Sequence, residues 1–178
     1  MLTSMLIFAL TLLGALPLAL PIAFGRMSKH APLRMLMQVY ISFMRGTPLM
    51  LQLLVVYFGP WFILKIPLSN GYRFYAAIIA FVLNYAAYFA EIYRAGIESI
   101  PRGQYEAAEV LGYSQGQTFW RIIFPQMVKR ILPPVTNEVI TLVKDTSLAF
   151  SIGVMEMFTM AKQISSAEKS MTALVAAA

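Results

Sequence analysis

Long apolar runs alternate with short polar segments along most of the chain. At a helical rise of about 1.5 Å per residue, roughly 20 residues cross the ~30 Å hydrocarbon layer of a membrane. Four runs approach that length and are predicted spans, approximately residues 2–25, 47–64, 74–93 and 131–148. A shorter apolar tail after residue 168 indicates a partial, apparently truncated last span. The pattern predicts an all-α integral membrane protein of about five transmembrane helices, with residues 1–178 as a single domain.

The composition indicates that a bilayer is the solvent of this chain. Hydrophobic residues make up 59%, charged residues make up 12%, and the mean hydropathy is +0.68. A soluble domain of this size cannot bury so much apolar surface. The chain has no cysteine and one histidine, His30, which excludes disulfides, Cys-ligated metals and a His-rich metal site. A membrane enzyme would lack its reactive groups, so no catalytic or metal-binding residue is predicted.

The positive charges are unevenly distributed among the polar segments. Lysine and arginine number four in residues 26–45 and five in residues 91–130, but two in residues 65–73. Loops on the cytoplasmic side collect these residues. We therefore expect 26–45 and 91–130 to be cytoplasmic loops, and 65–73 and the N-terminus to lie outside. The net charge of +6 is explained by this topology and implies no nucleic-acid partner.

The polar segment 95–130 is different in kind from the spans. Pro101 is placed to open a helix, and Gly112 stands where that helix would stop, since glycine takes a positive φ without penalty. Ser114 begins a Ser-x-x-Gln capping box for a second helix, which we expect to end at Pro125. The segment is therefore predicted to form a cytoplasmic helix–Gly–helix loop.

Glu106-Ala107-Ala108 lie on the first helix of that loop. Small alanines let another backbone approach closely, and the carboxylate could pair with a cation on a partner. The alternative from the residues alone is an ordinary solvated helix surface.

Several motifs stand in order along the chain. Glu106-Ala107-Ala108 is followed at fixed spacing by Gly112 and by Phe124-Pro125. The others are Arg45-Gly46-Thr47-Pro48, the stretch 88–94, the stretch 99–104 and the stretch 144–148. Together they resemble permease subunits of binding-protein-dependent ABC importers, of the polar amino-acid group that takes up glutamine, arginine, histidine and cystine. The first motif is similar to the EAA loop of that family, which has leucine in place of Phe124. The resemblance covers roughly residues 35–165.

The resemblance implies a type-I ABC permease domain with a coupling loop at 95–130. In that family the loop docks on a cytoplasmic ATPase, and ATP-driven closure of the ATPase pair rocks the membrane helices from inward-open to outward-open. The chain contains no G-x-x-x-x-G-K-[ST] loop. ATP and Mg²⁺ are therefore expected on the partner ATPase, with no cofactor on this chain. The residues implied to couple to the ATPase are Glu106, Ala107, Ala108, Gly112, Arg102 and Gly103.

The resemblance also implies partners and a location. The partners are two copies of the ATPase, a second permease (the same or a sister chain) and an extracytoplasmic amino-acid-binding protein, which largely sets the amino acid carried. The location is the bacterial inner (cytoplasmic) membrane, as a multi-pass protein with its N-terminus outside. A small ion-coupled carrier or channel is the alternative function. It would not need the coupling loop, and uptake without ATP would favour it.

Polar side chains inside the predicted spans need a reason, because they are costly at membrane depth. One polar stripe follows the third span and another follows the fourth. These stripes either line a substrate path at a two-fold interface or join helices by hydrogen bonds. Glu91 and Arg94 are expected to pair at the cytoplasmic end of the third span. The tentative substrate-path residues are Gln52 on the second span, Asn84, Tyr85 and Tyr88 on the third, and Asn137, Thr141 and Lys144 on the fourth.

Overall fold

The computed structural model describes residues 2–65, 71–154 and 157–168, and nearly all of them are helical. A π-helical turn, Phe119–Ile123, precedes α7, and a 3₁₀-helix, Thr146–Ile152, follows it. No strand occurs among the described residues, so the predicted all-α class is confirmed. The α-helices are α1 (Leu2–Arg26), α2 (Ala31–Gly46), α3 (Leu49–Leu64), α4 (Tyr72–Glu98), α5 (Arg102–Val110), α6 (Gln115–Thr118), α7 (Phe124–Asp145) and α8 (Met157–Glu168).

The centre of the fold is the pairing of α1 with α4, which make more contacts with each other than any other two elements. Small side chains on the facing surfaces let the two backbones approach closely. Within the described ranges, these are the two helices long and apolar enough to cross a membrane singly. They fall on the predicted spans 2–25 and 74–93. The small residues buried in these two helices include Ala15, Ala19 and Ala23 of α1 and Ala76, Ala77 and Ala80 of α4.

The prediction of a basic loop over residues 26–45 is wrong, because most of that stretch is α2. Pro32 lies in the first turn of α2, where a missing N–H does no harm. From there to Arg45 the sequence has neither glycine nor proline, so nothing interrupts the helix. Ile41 is buried, and Met37 and Tyr40 pack against the core beside it. Arg34 and Arg45 lie on the other faces of this ordered helix, whereas Arg26 ends α1 and Lys29 lies between the two helices.

A sharp bend joins α2 to α3. The two helix axes differ by 111° across Thr47 and Pro48, and the bent pair meets the length and hydropathy criteria of one span only when taken together. The predicted span 47–64 therefore coincides with the second helix of a bent pair, an arrangement found in broken spans and in re-entrant loops. The cause is local, since Pro48 cannot donate the hydrogen bond that would carry α2 onward.

The expected stop at Pro125 is also wrong. The π-helical turn runs directly into α7, and Pro125 lies in the first turn of α7, where its missing N–H is tolerated. Pro133 and Pro134 lie farther along the same helix. The predicted span 131–148 thus occupies the second half of α7 and the start of the 3₁₀-helix. Unlike α1 and α4, α7 carries too many charged residues to qualify as a span by composition.

The described part of the chain contains two candidate spans, or three when α2 and α3 count as one. The total of about five spans stays a prediction. Residues 66–70 of the expected outer loop lie outside the described residues. So does the partial span expected after residue 168.

Candidate functional site

The predicted helix–Gly–helix arrangement is present in the loop between α4 and α7. The first helix is α5, and Gly112 follows it with a φ of 76°, in the left-handed region that favours glycine. Ser114 then caps α6. Its hydroxyl accepts a hydrogen bond from the Gln117 N–H at 3.3 Å, and the Gln117 side chain accepts one from the Ser114 N–H at 2.9 Å. This reciprocal capping box is the one that the sequence predicts.

Backbone hydrogen bonds close the turn after α5. The Gly112 N–H donates to the Glu109 carbonyl oxygen at 2.9 Å, and the Tyr113 N–H donates to the Ala108 carbonyl oxygen at 3.0 Å. These bonds satisfy carbonyls that the end of a helix leaves free. Gly112 therefore fixes the angle between α5 and the segment that follows.

The α5 residues that the resemblance implies as ATPase contacts do not all lie on the surface of the helix. Arg102, Gly103, Glu106 and Ala107 are exposed. Ala108 is 1% exposed, so it packs inside the loop and is not available to a partner. The implied contact role of Ala108 is therefore corrected. One step along a helix turns a side chain by about 100°, which carries it from the outer face to the inner one.

Two large apolar side chains lie at the end of α5 and were missed in the sequence. Val110 is 88% exposed and Leu111 is 72% exposed. Val110 lies four residues after Glu106 and seven after Gly103, which places the three on one helix face. The sequence alone shows this spacing, so Val110 could have been placed beside Glu106 before the structure was known. The exposed face of α5, formed by Gly103, Glu106, Ala107 and Val110, therefore combines a carboxylate with apolar area.

The loop is tied firmly to α4 and α7. The Gln126 side-chain amide donates to the Gln104 side chain at 3.1 Å, and the Arg130 guanidinium donates to the Ser99 carbonyl oxygen. Beneath these contacts lies a separate apolar cluster, whose buried members are Ile97, Ile100, Ile123, Met127 and Ile131. Gly96 brings α4 close to α7 beside this cluster. The loop is therefore in direct contact with both helices.

Gln52 and Asn84 meet at the bend between α2 and α3. The Asn84 amide donates to Gln52 Oε1 at 2.9 Å and to the Met44 carbonyl oxygen at 3.1 Å. The Gln52 amide donates to the Met44 carbonyl oxygen at 2.9 Å and to the Thr47 hydroxyl at 2.8 Å. Both side chains are buried. Their geometry matches the alternative of hydrogen bonding between helices, and it satisfies carbonyls that the bend would leave free.

Tyr85 and Tyr88 point to different partners. The Tyr85 hydroxyl donates to Asp145 Oδ2 at 2.7 Å and so joins α4 to the end of α7. The Arg45 guanidinium carbon lies 5.2 Å from the centre of the Tyr88 ring, within the range of a cation–π contact.

The stripe on α7 is exposed in the isolated chain. Asn137, Thr141 and Lys144 all face outward, and the Thr141 hydroxyl donates to the Asn137 carbonyl oxygen of its own helix at 3.0 Å. In the described part of the structure, none of the three side chains hydrogen-bonds to the stripe on α4. Their place on a substrate path stays a prediction.

An ion network at the C-terminal end of α4 includes the predicted pair. Arg94 lies 2.8 Å from Glu91 and 2.6 Å from Glu98, and Arg26 of α1 lies 3.9 Å from Glu91. The expected pairing of Glu91 with Arg94 is confirmed.

Two adjoining cavities open beside this network. One, of about 520 Å³, lies between α2, α4 and α7, and the other, of about 510 Å³, lies between α1, α2 and α4. Arg45, Tyr88 and Glu91 line both, and Glu138 of α7 lines the first. Only Tyr88 among these had been singled out for a substrate path. Arg45 could have been found from its place next to a Gly-Thr-Pro break, and Glu138 from its charge within a predicted span.

Replacement of Asn84 by leucine is expected to destabilise the folded protein by about 1–3 kcal/mol, since it removes both donors of a buried amide and strands Gln52 Oε1. Unfolding followed by denaturant titration in detergent measures the loss. The matched variants are Gln52→Leu and the double variant. Because removing both partners strands fewer polar atoms, the double variant should lose less than the sum of the single losses. Strict additivity would contradict a direct bond between the two side chains.

Comparison with known proteins gives consistent matches. Residues 15–178 match the family described as binding-protein-dependent transport system inner membrane component. The L-cystine transport system permease protein TcyB of Bacillus subtilis is 45% identical over 148 residues, covering 83% of this chain and 61% of the relative. The L-cystine permease protein TcyL of the same organism is 45% identical over 157 residues, covering 86% and 66%. The chain thus spans slightly less than two thirds of the length of these two relatives.

Two further matches are an arginine permease and a solved structure. The arginine transport system permease protein ArtQ of Bacillus subtilis is 39% identical over 153 residues, covering 84% of this chain and 67% of the relative. A solved structure described as an amino acid ABC transporter with histidines superposes with a TM-score of 0.85 at 31% identity. That match covers 99% of this chain and 81% of the other. The fold is therefore that of an ABC transporter membrane subunit.

Proposed function

The chain belongs to the family of binding-protein-dependent transport system inner membrane components, and from this premise we propose that it is the membrane-spanning subunit of an ATP-driven amino-acid importer. The observation that carries the proposal is the exposed face of α5 on a loop tied to α4 and α7. The similar proteins are permease proteins of transport systems, which favours the importer over an ion-coupled carrier or channel.

The proposed mechanism assigns ATP hydrolysis to a separate cytoplasmic subunit. Two ATPase copies dock on the loops of two permease chains, this chain and a second copy or a sister chain. The Glu106 carboxylate pairs with a cation on the ATPase, and Ala107 allows close approach beside the apolar Val110. When ATP closes the ATPase pair, the loops move together. The apolar cluster beneath each loop then carries α4 and α7 along, which opens the path to the outside.

The proposed substrates are amino acids delivered by an extracytoplasmic binding protein. Their class follows from the relatives, which are named for cystine and arginine transport. The proposed location is the bacterial inner membrane, with the N-terminus outside and the coupling loop in the cytoplasm, as the lysine and arginine counts predict.

Replacement of Glu106 by arginine is expected to lower retention of the ATPase by at least about tenfold, since it removes a charged hydrogen-bonding group and reverses its sign. The tagged chain is extracted from its native membrane in mild detergent. A co-purifying protein with a G-x-x-x-x-G-K-[ST] loop is then identified by mass spectrometry and quantified. The control is Glu109→Gln, a carboxylate change at another exposed position of the same helix, outside the face formed by Gly103, Glu106, Ala107 and Val110.

Two results would contradict the proposal. One is a stably inserted wild-type chain that retains no such ATPase. The other is equal retention by the wild type and the Glu106→Arg variant, which would remove α5 as the docking surface. Equal loss in the Glu109→Gln control would likewise deny Glu106 a specific role.

A further inference from the structure

The last residue of α1 lies at the depth of the lipid headgroups. The 25 residues of α1 span roughly 37 Å at about 1.5 Å per residue, slightly more than the ~30 Å hydrocarbon layer of a bilayer. Arg26 ends this helix, so its guanidinium lies at the level of the headgroup phosphates. Arg26 Nε lies 3.9 Å from Glu91 Oε1, which is too far for a hydrogen bond. In the part of the chain that the structure describes, this buried nitrogen has no hydrogen-bond partner.

The cavity of about 510 Å³ between α1, α2 and α4 is rich in hydrogen-bond donors. Arg26 of α1 and Gln38, Ser42 and Arg45 of α2 all line it. Within the described ranges, the Gln38 and Ser42 side chains make no hydrogen bond, and Arg45 has no oppositely charged partner within 4.0 Å. The cavity therefore presents several donors whose bonding capacity is unused.

The charge around this cavity is positive. Glu91 lies on its wall, but Glu91 Oε2 lies 2.8 Å from Arg94, which also lies 2.6 Å from Glu98. Arg26, Arg45 and Arg94 thus stand against two glutamates, which leaves one positive charge uncompensated. Guanidinium groups form their strongest hydrogen bonds with anionic oxygens. The group that completes the cavity is therefore an anion with several acceptor oxygens.

An exposed apolar face of α2 borders the rim of the cavity. Leu36, Val39 and Phe43 are 61%, 61% and 58% exposed, and their spacing places them on one face of the helix. Val39 and Phe43 directly follow Gln38 and Ser42, which are exposed at the rim. Acyl chains cover such a face in a bilayer, whereas a soluble anion would leave it bare. A molecule with an anionic head and apolar chains matches both surfaces.

We propose that the cavity between α1, α2 and α4 holds the phosphate of an anionic phospholipid, whose acyl chains lie along the exposed apolar face of α2. Arg26 and Arg45 bind the phosphate oxygens, since the guanidinium fork fits a phosphate. Gln38 and Ser42 donate to the oxygens that remain. Basic pockets between membrane helices at headgroup depth bind anionic lipids in this way. The inference requires only that the chain lies in a membrane, and it is independent of what the chain transports.

The test compares two lipid compositions. The protein is purified in mild detergent with the subunits it retains, stripped of lipid, and placed in nanodiscs of phosphatidylcholine alone or with added phosphatidylglycerol. Native mass spectrometry gives the dissociation constant of each lipid in detergent, and the midpoint of thermal unfolding is measured in the nanodiscs. The variants are Arg26→Gln, Gln38→Leu and Ser42→Ala, at residues that line this cavity but not the one between α2, α4 and α7. The control is Arg34→Gln, an exposed charge on α2 that lines neither.

Phosphatidylglycerol should bind the wild type at least about tenfold more tightly than phosphatidylcholine and should raise its unfolding midpoint. Arg26→Gln should weaken phosphatidylglycerol binding at least about tenfold, the effect of losing a hydrogen bond between charged groups. Gln38→Leu and Ser42→Ala should each weaken it about threefold or more, since the bonds lost there have a neutral donor. Arg34→Gln should weaken it at most about fivefold, the general attraction of one charge near an anionic surface.

The two nanodisc compositions separate lipid binding from a structural role of Arg26. The gain in midpoint from phosphatidylglycerol should vanish in Arg26→Gln and persist in Arg34→Gln. In phosphatidylcholine alone, Arg26→Gln should unfold close to the wild-type midpoint, because an ion pair as long and as open as that between Arg26 and Glu91 contributes little. A merely structural Arg26 would lower the midpoint equally in both compositions, and that result would overturn the proposal.

Three other results would also overturn it. One is equal affinity of the wild type for phosphatidylglycerol and phosphatidylcholine. Another is an equal loss in Arg26→Gln and Arg34→Gln, which would indicate attraction to the basic surface in general. The third is stabilisation by glycerol 3-phosphate, added to the detergent-purified protein, as strong as that by phosphatidylglycerol, which would make the ligand a soluble phosphate. Should Arg26→Gln not accumulate as folded protein, Gln38→Leu and Ser42→Ala decide by the same comparison with Arg34→Gln.

Discussion

Replacement of Gly96 by valine is expected to prevent stable accumulation of the protein in the membrane. Even the first carbon of a new side chain would lie 2.3 Å from Ile131 Cγ2 and 3.0 Å from Met127 Cγ. Both neighbours are buried, so neither can swing away into free space. Overpacking of a close-packed interior typically costs about 1–3 kcal/mol and occasionally more, and valine adds two methyl groups beyond that carbon. The yield of monodisperse protein after extraction and the midpoint of thermal unfolding measure the loss.

The clash with Ile131 can be separated from a general effect of replacing glycine. Gly96→Ala should destabilise the fold, and adding Ile131→Ala should restore part of the stability, with a coupling of about 0.5–3 kcal/mol between the two sites. Gly59→Ala is the matched control, because Gly59 lies within α3 and a new carbon there meets no atom within 4 Å. Alanine should be neutral or stabilising at that position. A Gly96→Ala variant as stable as Gly59→Ala would show that α4 and α7 do not meet as described.

Features with a local cause could be predicted from the sequence. The helices α1 and α4 follow from uncharged runs of sufficient length, whatever they pack against. The turn at Gly112 and the capping box at Ser114 depend on residues within a few positions of one another. These parts of the loop between α4 and α7 could therefore be placed before any tertiary contact was known.

Features that depend on packing could not be predicted in the same way. Counting positive charges made residues 26–45 a loop, although Arg45 lies at the end of a helix, beside a cavity on the C-terminal half of α4. The Gly-Thr-Pro motif indicated a change in the backbone but neither the angle of 111° nor the partner that stabilises it. That partner is Asn84, which is 40 residues from Met44 along the chain. Likewise, the packing of the loop decides that Ala107 faces outward and Ala108 inward.

Replacement of Gly112 by proline is expected to abolish ATP-coupled transport while leaving the membrane helices folded. Proline fixes φ near −65°, whereas Gly112 has a φ of 76°. It would also remove the N–H that donates to the Glu109 carbonyl oxygen at 2.9 Å. Proline cannot adopt this φ, so the end of α5 should rearrange instead of keeping this turn. Uptake by the reconstituted complex should therefore fall to the level measured without ATP.

The reason for expecting an uncoupled but folded protein is the position of Gly112. It is exposed, and a new carbon there meets no atom within 4 Å, so the damage is confined to the backbone of the turn. Asparagine tolerates the left-handed region, and Gly112→Asn should retain most of the uptake. Gly116→Ala, on α6 and also without neighbours, should retain all of it. If Gly112→Pro imports as well as Gly116→Ala, then the angle set after α5 carries no force from the ATPase, and coupling runs through another surface.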